Sequence, residues 1–333
     1  MWYTECGNEC DVVLSSRIRF ARNIKGIPFP NKMNKGNAEH VQKAVFDAFG
    51  GFDNFDFLPA DSLDERKKVA LIERFGCGTE LLKSKLASVL IAKNIGTVIT
   101  LNAEDHVSIQ CSSRNFELEA LYATACGIQD IREKSIEFSF DPQLGYLTAS
   151  PSNVGTGLKA SAAIHLAGVS LTKQTEHLIM SLTKLGCTVE GIYGDGAQTL
   201  GSIFRVSNQY TLGLTEQEII KAQTDIVSQL AEQEMHIREA VNTKNPNELA
   251  DMCSRSLGVC RYAHRLSFNE LVQHVSNIKF GASLGILDVT QEASDKLLEE
   301  CGMSLEGVNG TALNSEAELA IRAKRANDIL KAY

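Results

Sequence analysis

The chain has 333 residues, 44% hydrophobic and 22% charged, enough for one large domain and a smaller one with a sizeable core. A formal net charge of -8 argues against a broad basic surface, so neither nucleic acid nor an anionic membrane is expected as a partner. Nine cysteines, an odd and scattered set, point to reduced thiols and a cytoplasmic protein rather than a disulfide framework.

The first residues, MWYTECGNECDVV, lack the basic start and apolar core of a signal peptide. Cys6 and Cys10 have no second close Cys or His pair beside them, so no metal site is expected there. Residues 11–30 begin as an alternating extended segment and end in a proline-rich turn. Residues 38–49 carry Ala38, Val41, Ala44, Val45 and Phe49 near helical spacing. Segments 97–101, 107–111, 136–140 and 145–149 read as short strands, with a helix over 116–126 between them. A helix over 171–185 is capped by Gly186, and 189–194 and 202–208 read as paired strands. Thr215 with Glu218 forms a capping box, opening a helical region. The polar, proline-containing stretch 241–247 reads as a linker, giving a catalytic-type domain over 11–241 and a helical domain over 248–333. No stretch approaches the roughly 18 apolar residues of a membrane span.

Arg17 and Arg19 lie two apart in an extended segment, so their guanidinium groups leave the same face, with Arg22 following at the turn. Two such groups make a multi-donor surface for phosphate oxygens; a solvated edge strand is the competing reading. Residues 155–160, GTGLKA, fit a loose dinucleotide-binding pattern, and a glycine turn required by backbone geometry fits equally. His165 reads either as a site residue or as a satisfied, partly buried histidine.

Four segments then fall into one order: SSRIRFAR (15–22), NAEDH (102–106), SPSNVGTGLKAS (150–161) and EGIYGDG…GSIFRVSNQYTLG (190–213). In order and spacing they resemble the phosphagen kinase, or ATP:guanidino phosphotransferase, family, and most of all its bacterial protein-arginine kinase branch. Further similarity runs through CRYAHRLSF…VSNIKFGASLGILD (260–288). The resemblance implies an α+β fold, an antiparallel sheet flanked by helices of the glutamine-synthetase-like kind, followed by a helical C-terminal domain. It implies transfer of the γ-phosphoryl group of ATP, bound with Mg2+, to arginine side chains of a protein substrate or partner. Glu104, Asp195 and Ser150 would act on the acceptor. Ser15, Ser16, Arg17, Arg19, Ser108, Lys159, Ala160, Ser161, Glu190, Gly191, Ile192, Tyr193 and Gly194 would line the nucleotide, with backbone donors from the glycine loop. A homodimer through the helical domain is a further option.

The chain departs from the family pattern within the site. Ala103 stands for a carboxylate, Ser108 for an arginine, Ser150 for a reactive cysteine, Lys159 and Glu190 for arginines, Asp195 for a glutamate and Phe75 for a histidine. Arginine to serine removes one positive charge and arginine to glutamate reverses one, so the pocket is about three units more negative than the pattern. Of a C-terminal RDxxRA motif that reads phosphoarginine in that branch, Glu318-Leu319-Ala320-Ile321-Arg322-Ala323 keeps only the last two residues. The alternative function is therefore a catalytically impaired pseudokinase serving as a regulatory or binding module.

Overall fold

The computed structural model describes residues 11–49, 51, 54–93, 96–133, 135–193, 199–302 and 315–332. Cys6, Cys10, Gly194 and Asp195 lie outside them. Ten strands and eleven α-helices occur in the described residues, besides four short 3-10 turns. They are β1 (Val13–Arg22), α1 (Lys35–Phe49), β2 (Phe55–Pro59), α2 (Glu65–Phe75), α3 (Glu80–Lys83), β3 (Ser88–Ala92), β4 (Thr97–Leu101), β5 (Val107–Ser113) and α4 (Leu118–Glu133). Next come β6 (Phe140–Asp141), β7 (Gly145–Tyr146), β8 (Leu158–His165), α5 (Ala167–Leu171), α6 (Thr175–Lys184), β9 (Cys187–Gly191) and β10 (Ile203–Asn208). Five helices end the chain: α7 (Glu216–Lys244), α8 (Pro246–Tyr262), α9 (Phe268–Ser283), α10 (Gln291–Glu300) and α11 (Glu316–Ala332).

Eight strands form one sheet in the order β2-β3-β4-β5-β1-β8-β10-β9. Every pairing is antiparallel, so directly opposed residues share a face. Strict alternation in β1 sorts the two faces: Ile18 and Phe20 are fully buried, while Arg17 and Arg19 point the other way. On the Ile18 side lie Ile109, Cys111, Leu158 and Ala160, packed under Val41 and Val45 of α1, Leu118, Leu121 and Ala125 of α4, and Ile219 and Ile220 of α7. At the far end Ala162, Ile164, Phe204 and Val206 continue this layer beneath Leu182, Val227 and Leu230. The opposite face is covered at its β3–β4 end by α2 and α3, where Leu71 and Leu81 meet Val89 and Val98.

The strands expected over 189–194 and 202–208 pair as β9 and β10, although β9 starts earlier and ends at Gly191, and the capping box at Thr215 and Glu218 is formed in full. Elsewhere the chain differs from the sequence reading. Of 136–140 only Phe140 lies in a strand, with Phe138 in an isolated bridge to Ile24, and of 145–149 only Gly145 and Tyr146 do. The helix expected over 171–185 is two, broken where Lys173 takes a φ of 58°. The stretch 241–247 is no extended linker: α7 continues to Lys244 and α8 starts at Pro246. A proline at the first helical position loses no hydrogen bond, because that N–H has no partner in a helix.

The C-terminal helices bury their own core of Leu249, Cys253, Leu271, Val275, Ile278, Phe280, Leu297, Ala326 and Leu330. Buried polar ties fasten them to the sheet. Lys279 Nζ bonds Asp295 Oδ1 at 3.0 Å, and Arg114, just past β5, pairs with the same carboxylate. His165, at the end of β8, is fully buried, with Nε2 2.8 Å from Ser276 Oγ on α9. Arg238 donates to its carbonyl at 2.8 Å, and Glu234 pairs with Arg238 at 2.7 Å while accepting from the N–H groups of Gly168 and Val169. Of the two readings of His165, the satisfied structural one is what the packing contains. No described helix is long and apolar enough to cross a membrane.

Candidate active site

Register places seven of the sixteen expected site residues on one surface. Arg17 opposes Ser112 and Ser161, Arg19 opposes Gln110 and Lys159, and Ser15 opposes Ala163. Ser108 lies on the same side of β5, and Arg205 of β10 faces Ala163 on one flank and Glu190 on the other. The middle of the uncovered face is thus a floor of Ser, Ala and Gln carrying Arg17, Arg19, Lys159 and Arg205.

Each cation is set by its neighbours. Arg17 Nη1 donates to the Gly76 carbonyl at 3.2 Å and to Gln110 Oε1 at 3.4 Å. Gly76 ends α2 with a φ of 65°, and a Cβ there would come within 2.8 Å of Arg17 Nη1 and closer still to Nη2. Only glycine fits. Phe75, whose carbonyl accepts from Gln110 Nε2, abuts the same surface. Arg19 Nη1 lies 3.6 Å from Glu104 Oε2, and Lys159 Nζ donates to the Asn208 carbonyl at 2.8 Å.

Burial raises the Glu104 carboxyl above its ordinary range, with Arg19 opposing the shift and Asp105 and Glu80 adding to it. Burial and the nearby Arg19 lower the Lys159 ammonium, while Glu190 and Glu104 favour its charge. Burial likewise lowers Arg205, with Glu190 holding it charged and Arg19 working against it. These opposing influences place Arg19, Lys159, Arg205, Glu104 and Glu190 within one another's fields.

Other expected residues face elsewhere. Ser16 is fully buried on the helix side, where its hydroxyl donates to the Asn115 carbonyl and accepts from Glu117 N–H. Ala160 lies in the core beside Ile18, its N–H held by Asn208 Oδ1 at 2.8 Å. Gly191 opposes Phe204 on that same side. Ile192 N–H donates to the Ile203 carbonyl, and the Tyr193 ring stacks edge-on against Phe268 at 5.3 Å. Ser150 Oγ lies 2.9 Å from Ser152 Oγ at the rim of the glycine loop.

Three backbone donors of the glycine loop are already committed within the protein. Gly155 N–H goes to the Tyr146 carbonyl, Thr156 N–H to the Thr211 carbonyl, and Leu158 N–H to Thr156 Oγ1. The loop leads into strand β8 rather than a helix, which removes the dinucleotide reading. Gly157, at φ 62°, is required because a Cβ would lie 2.6 Å from Arg22 Nη1 and 2.7 Å from the Ala21 carbonyl. Arg22 itself is fully buried, its guanidinium 3.6 Å from the Tyr146 ring centroid and bonded to the Thr156 carbonyl. It buttresses the loop from below and does not reach the polar face.

Sequence reasoning passed over Arg205. The signal was present in IFRVSN, where alternation sets Arg205 and Ser207 apart from Phe204 and Val206 just as SRIRF sets Arg17 and Arg19 apart from Ile18 and Phe20. Its guanidinium stands on the same face as positions 108 and 190.

Comparison with known proteins identifies the family. The profile of the ATP:guanido phosphotransferase C-terminal catalytic domain matches residues 37–237. The chain belongs to this family. Residues 246–333 match the profile of the protein-arginine kinase McsB C-terminal domain. A protein-arginine kinase of Halothermothrix orenii is 37% identical over 289 residues, 86% of this chain and 83% of that one. A protein-arginine kinase of Staphylococcus haemolyticus is 35% identical over 338 residues, covering 100% of this chain and 96% of its own. Among solved structures, lombricine kinase aligns over 69% of this chain and 68% of that one, at a TM-score of 0.58 and 21% identity. The duplicated taurocyamine kinase from Schistosoma mansoni, with bound transition state analog components, aligns over 76% of this chain and 39% of its own, at a TM-score of 0.61 and 20% identity. These structures share the fold of a phosphagen kinase with the chain, mixed helix and antiparallel sheet.

Proposed function

We propose that this chain is a protein-arginine kinase, moving the γ-phosphoryl group of ATP, bound with Mg2+, onto the side chain of arginine in a protein substrate. The observation that carries this reading is the polar sheet face, where four cations sit beside Glu104, a carboxylate raised by burial. Phosphoryl transfer needs little covalent help and much charge alignment. Arg17 and Arg19 offer forked donors to phosphate oxygens, and Lys159 a point charge. Mg2+ would arrive with the phosphates, since such ions take few protein ligands. Among the described residues no group of three or more His, Cys, Asp or Glu gathers to hold a metal.

The acceptor side is dictated by arginine's chemistry. A guanidinium is protonated at ordinary pH and must give up a proton as its nitrogen attacks phosphorus. In the proposed step the P–N bond forms, the bond to ADP breaks, and the proton passes to Glu104, with Asp195 as the second carboxylate. A carboxylate raised by burial accepts that proton more readily than a solvated one. The names of the relatives, which span nearly the whole chain, support an arginine of a protein as acceptor. A cytoplasmic setting accords with seven described cysteines, all free. Self-association through the helical part belongs to the same reading, with Tyr262 on α8 77% exposed.

The test is incubation with Mg-ATP and an arginine-rich protein, then mass spectrometry under non-acidic conditions. Acid-labile phosphoarginine from the wild type and none from Glu104→Gln is expected. A folded wild type that binds Mg-ATP yet yields no phosphoarginine would overturn the assignment in favour of a binding module.

A further inference from the structure

We propose that Arg205 is a phosphate-contacting residue of the nucleotide site, and that Glu190, directly opposite it, is its positioning residue. This rests on the reading of the polar face as the ATP site. Residues 190 and 205 form a cross-strand pair between β9 and β10, so their Cβ atoms are about 5 Å apart on one face. In the sequence pattern the chain resembles, an arginine occupies position 190. Here that position is glutamate, and the guanidinium stands across the ladder, one strand nearer to Lys159 and Arg19.

Arg205 differs from the other three cations in its commitments. Arg17 is held by Gly76 and Gln110, Arg19 by Glu104, and Lys159 by the Asn208 carbonyl. Arg205, partly buried, forms no ion pair within 4 Å among the described residues, although Glu190 stands opposite. Its other flank is Ala163, too small to fill the space or to accept a hydrogen bond. A guanidinium with five donors and a nearby but unbonded carboxylate is suited to an anion that arrives with the substrate. The phosphate oxygens of ATP supply such acceptors, and Glu190 then keeps the planar fork from folding back over Arg19.

The experiment measures Mg-ATP and AMP affinity by calorimetry, with phosphoarginine yield alongside, for the wild type and for Arg205→Gln, Arg205→Lys, Arg205→Glu, Glu190→Gln and the swap Glu190→Arg with Arg205→Glu. Arg205→Gln should weaken Mg-ATP at least tenfold and AMP less than threefold. Arg205→Lys should fall between it and the wild type. Glu190→Gln should raise the KM for ATP with kcat nearly unchanged. The double swap should bind at least fivefold better than Arg205→Glu alone. Melting curves identify any variant that fails to fold, and the lysine variant and the swap then decide. Arg205→Gln or Arg205→Lys binding Mg-ATP within twofold of the wild type, or a swap no better than Arg205→Glu, would overturn the proposal. So would a wild type that does not bind Mg-ATP. A wild type that binds nucleotide without forming phosphoarginine fails the kinase reading alone, and the binding series still decides the role of Arg205.

Discussion

Arg19 and Glu104 stand 3.6 Å apart with about a third or less of each side chain exposed, joining the phosphate side of the site to its acceptor side. The pairing ties the charge of one to the position of the other. Glu104→Gln should remove at least a hundredfold of the transfer rate, in line with loss of a general base, while Mg-ATP affinity changes little. Steady-state kinetics with arginine-rich protein checks both.

The same carboxylate sets a pH dependence. Its folded pKa is raised above the ordinary value of 4.5, chiefly by burial. The protonated form is therefore favoured by folding, and the stability it contributes below 4.5 is lost as pH rises through the raised value. Glu104→Gln should melt higher than the wild type near neutral pH, with the gain shrinking toward pH 4. The acid limb of the wild-type rate should lie above that of a free glutamate.

Gly76 and Arg17 make a second dependence. Gly76→Ala places a methyl against the guanidinium at a backbone φ of 65°. The expected cost is about 1–2 kcal/mol of stability together with weaker Mg-ATP binding, because Arg17 must move. Denaturant unfolding and calorimetry read the two effects, and a variant that loses stability but keeps full affinity would uncouple them.

How much of this was legible in the sequence depends on the physics of each element. Strand β1 announces itself because apolar and charged residues alternate without exception from Arg17 to Phe20. Strand β8, LKASAAIH, does not, since small residues on both of its faces, Ala160, Ser161, Ala162 and Ala163, blur the period of two. The proline at 246 reads as a break, yet at the start of a helix it is compatible with two helices meeting at Asn245. Motif spacing brought Arg17, Arg19, Ser108, Lys159 and Glu190 to one face, but Ser16 and Ala160 share those motifs while alternation turns them away. Arg205 was hidden because its importance comes from register with Glu190, a pairing between strands that sequence order does not state.

The buried cluster of His165, Glu234 and Arg238 should dominate stability. Glu234→Ala leaves the Arg238 guanidinium buried without its carboxylate and two N–H groups of α5 without acceptors. A loss of about 3–5 kcal/mol is expected from denaturant unfolding. His165 is held neutral, its pKa pushed well below 6.5 by burial and by Arg238 and Lys279. Its contribution is present above 6.5 and is lost as pH falls below it, because the unfolded chain then binds the proton. His165→Asn should flatten the fall in melting temperature between about pH 6.5 and 5.

Glu318 and Arg322 form a second fully buried pair on α11 at 2.8 Å, with Arg66 of α2 3.5 Å from the same carboxylate. Removing either member alone should cost about 3–5 kcal/mol. The double change Glu318→Leu with Arg322→Met should cost less than the two single changes added together, a coupling that a double-mutant cycle measures.

One surface, the sheet face bearing Arg17, Arg19, Lys159 and Arg205, carries the proposed chemistry. A crystal structure with Mg2+ and a non-hydrolysable ATP analogue tests it most directly. The triphosphate is expected over β1, β8 and β10, with oxygens within hydrogen-bonding distance of Arg17, Arg19 and Arg205 and the terminal phosphate turned toward Glu104. A triphosphate bound anywhere else, with those guanidinium groups left facing solvent, would contradict it.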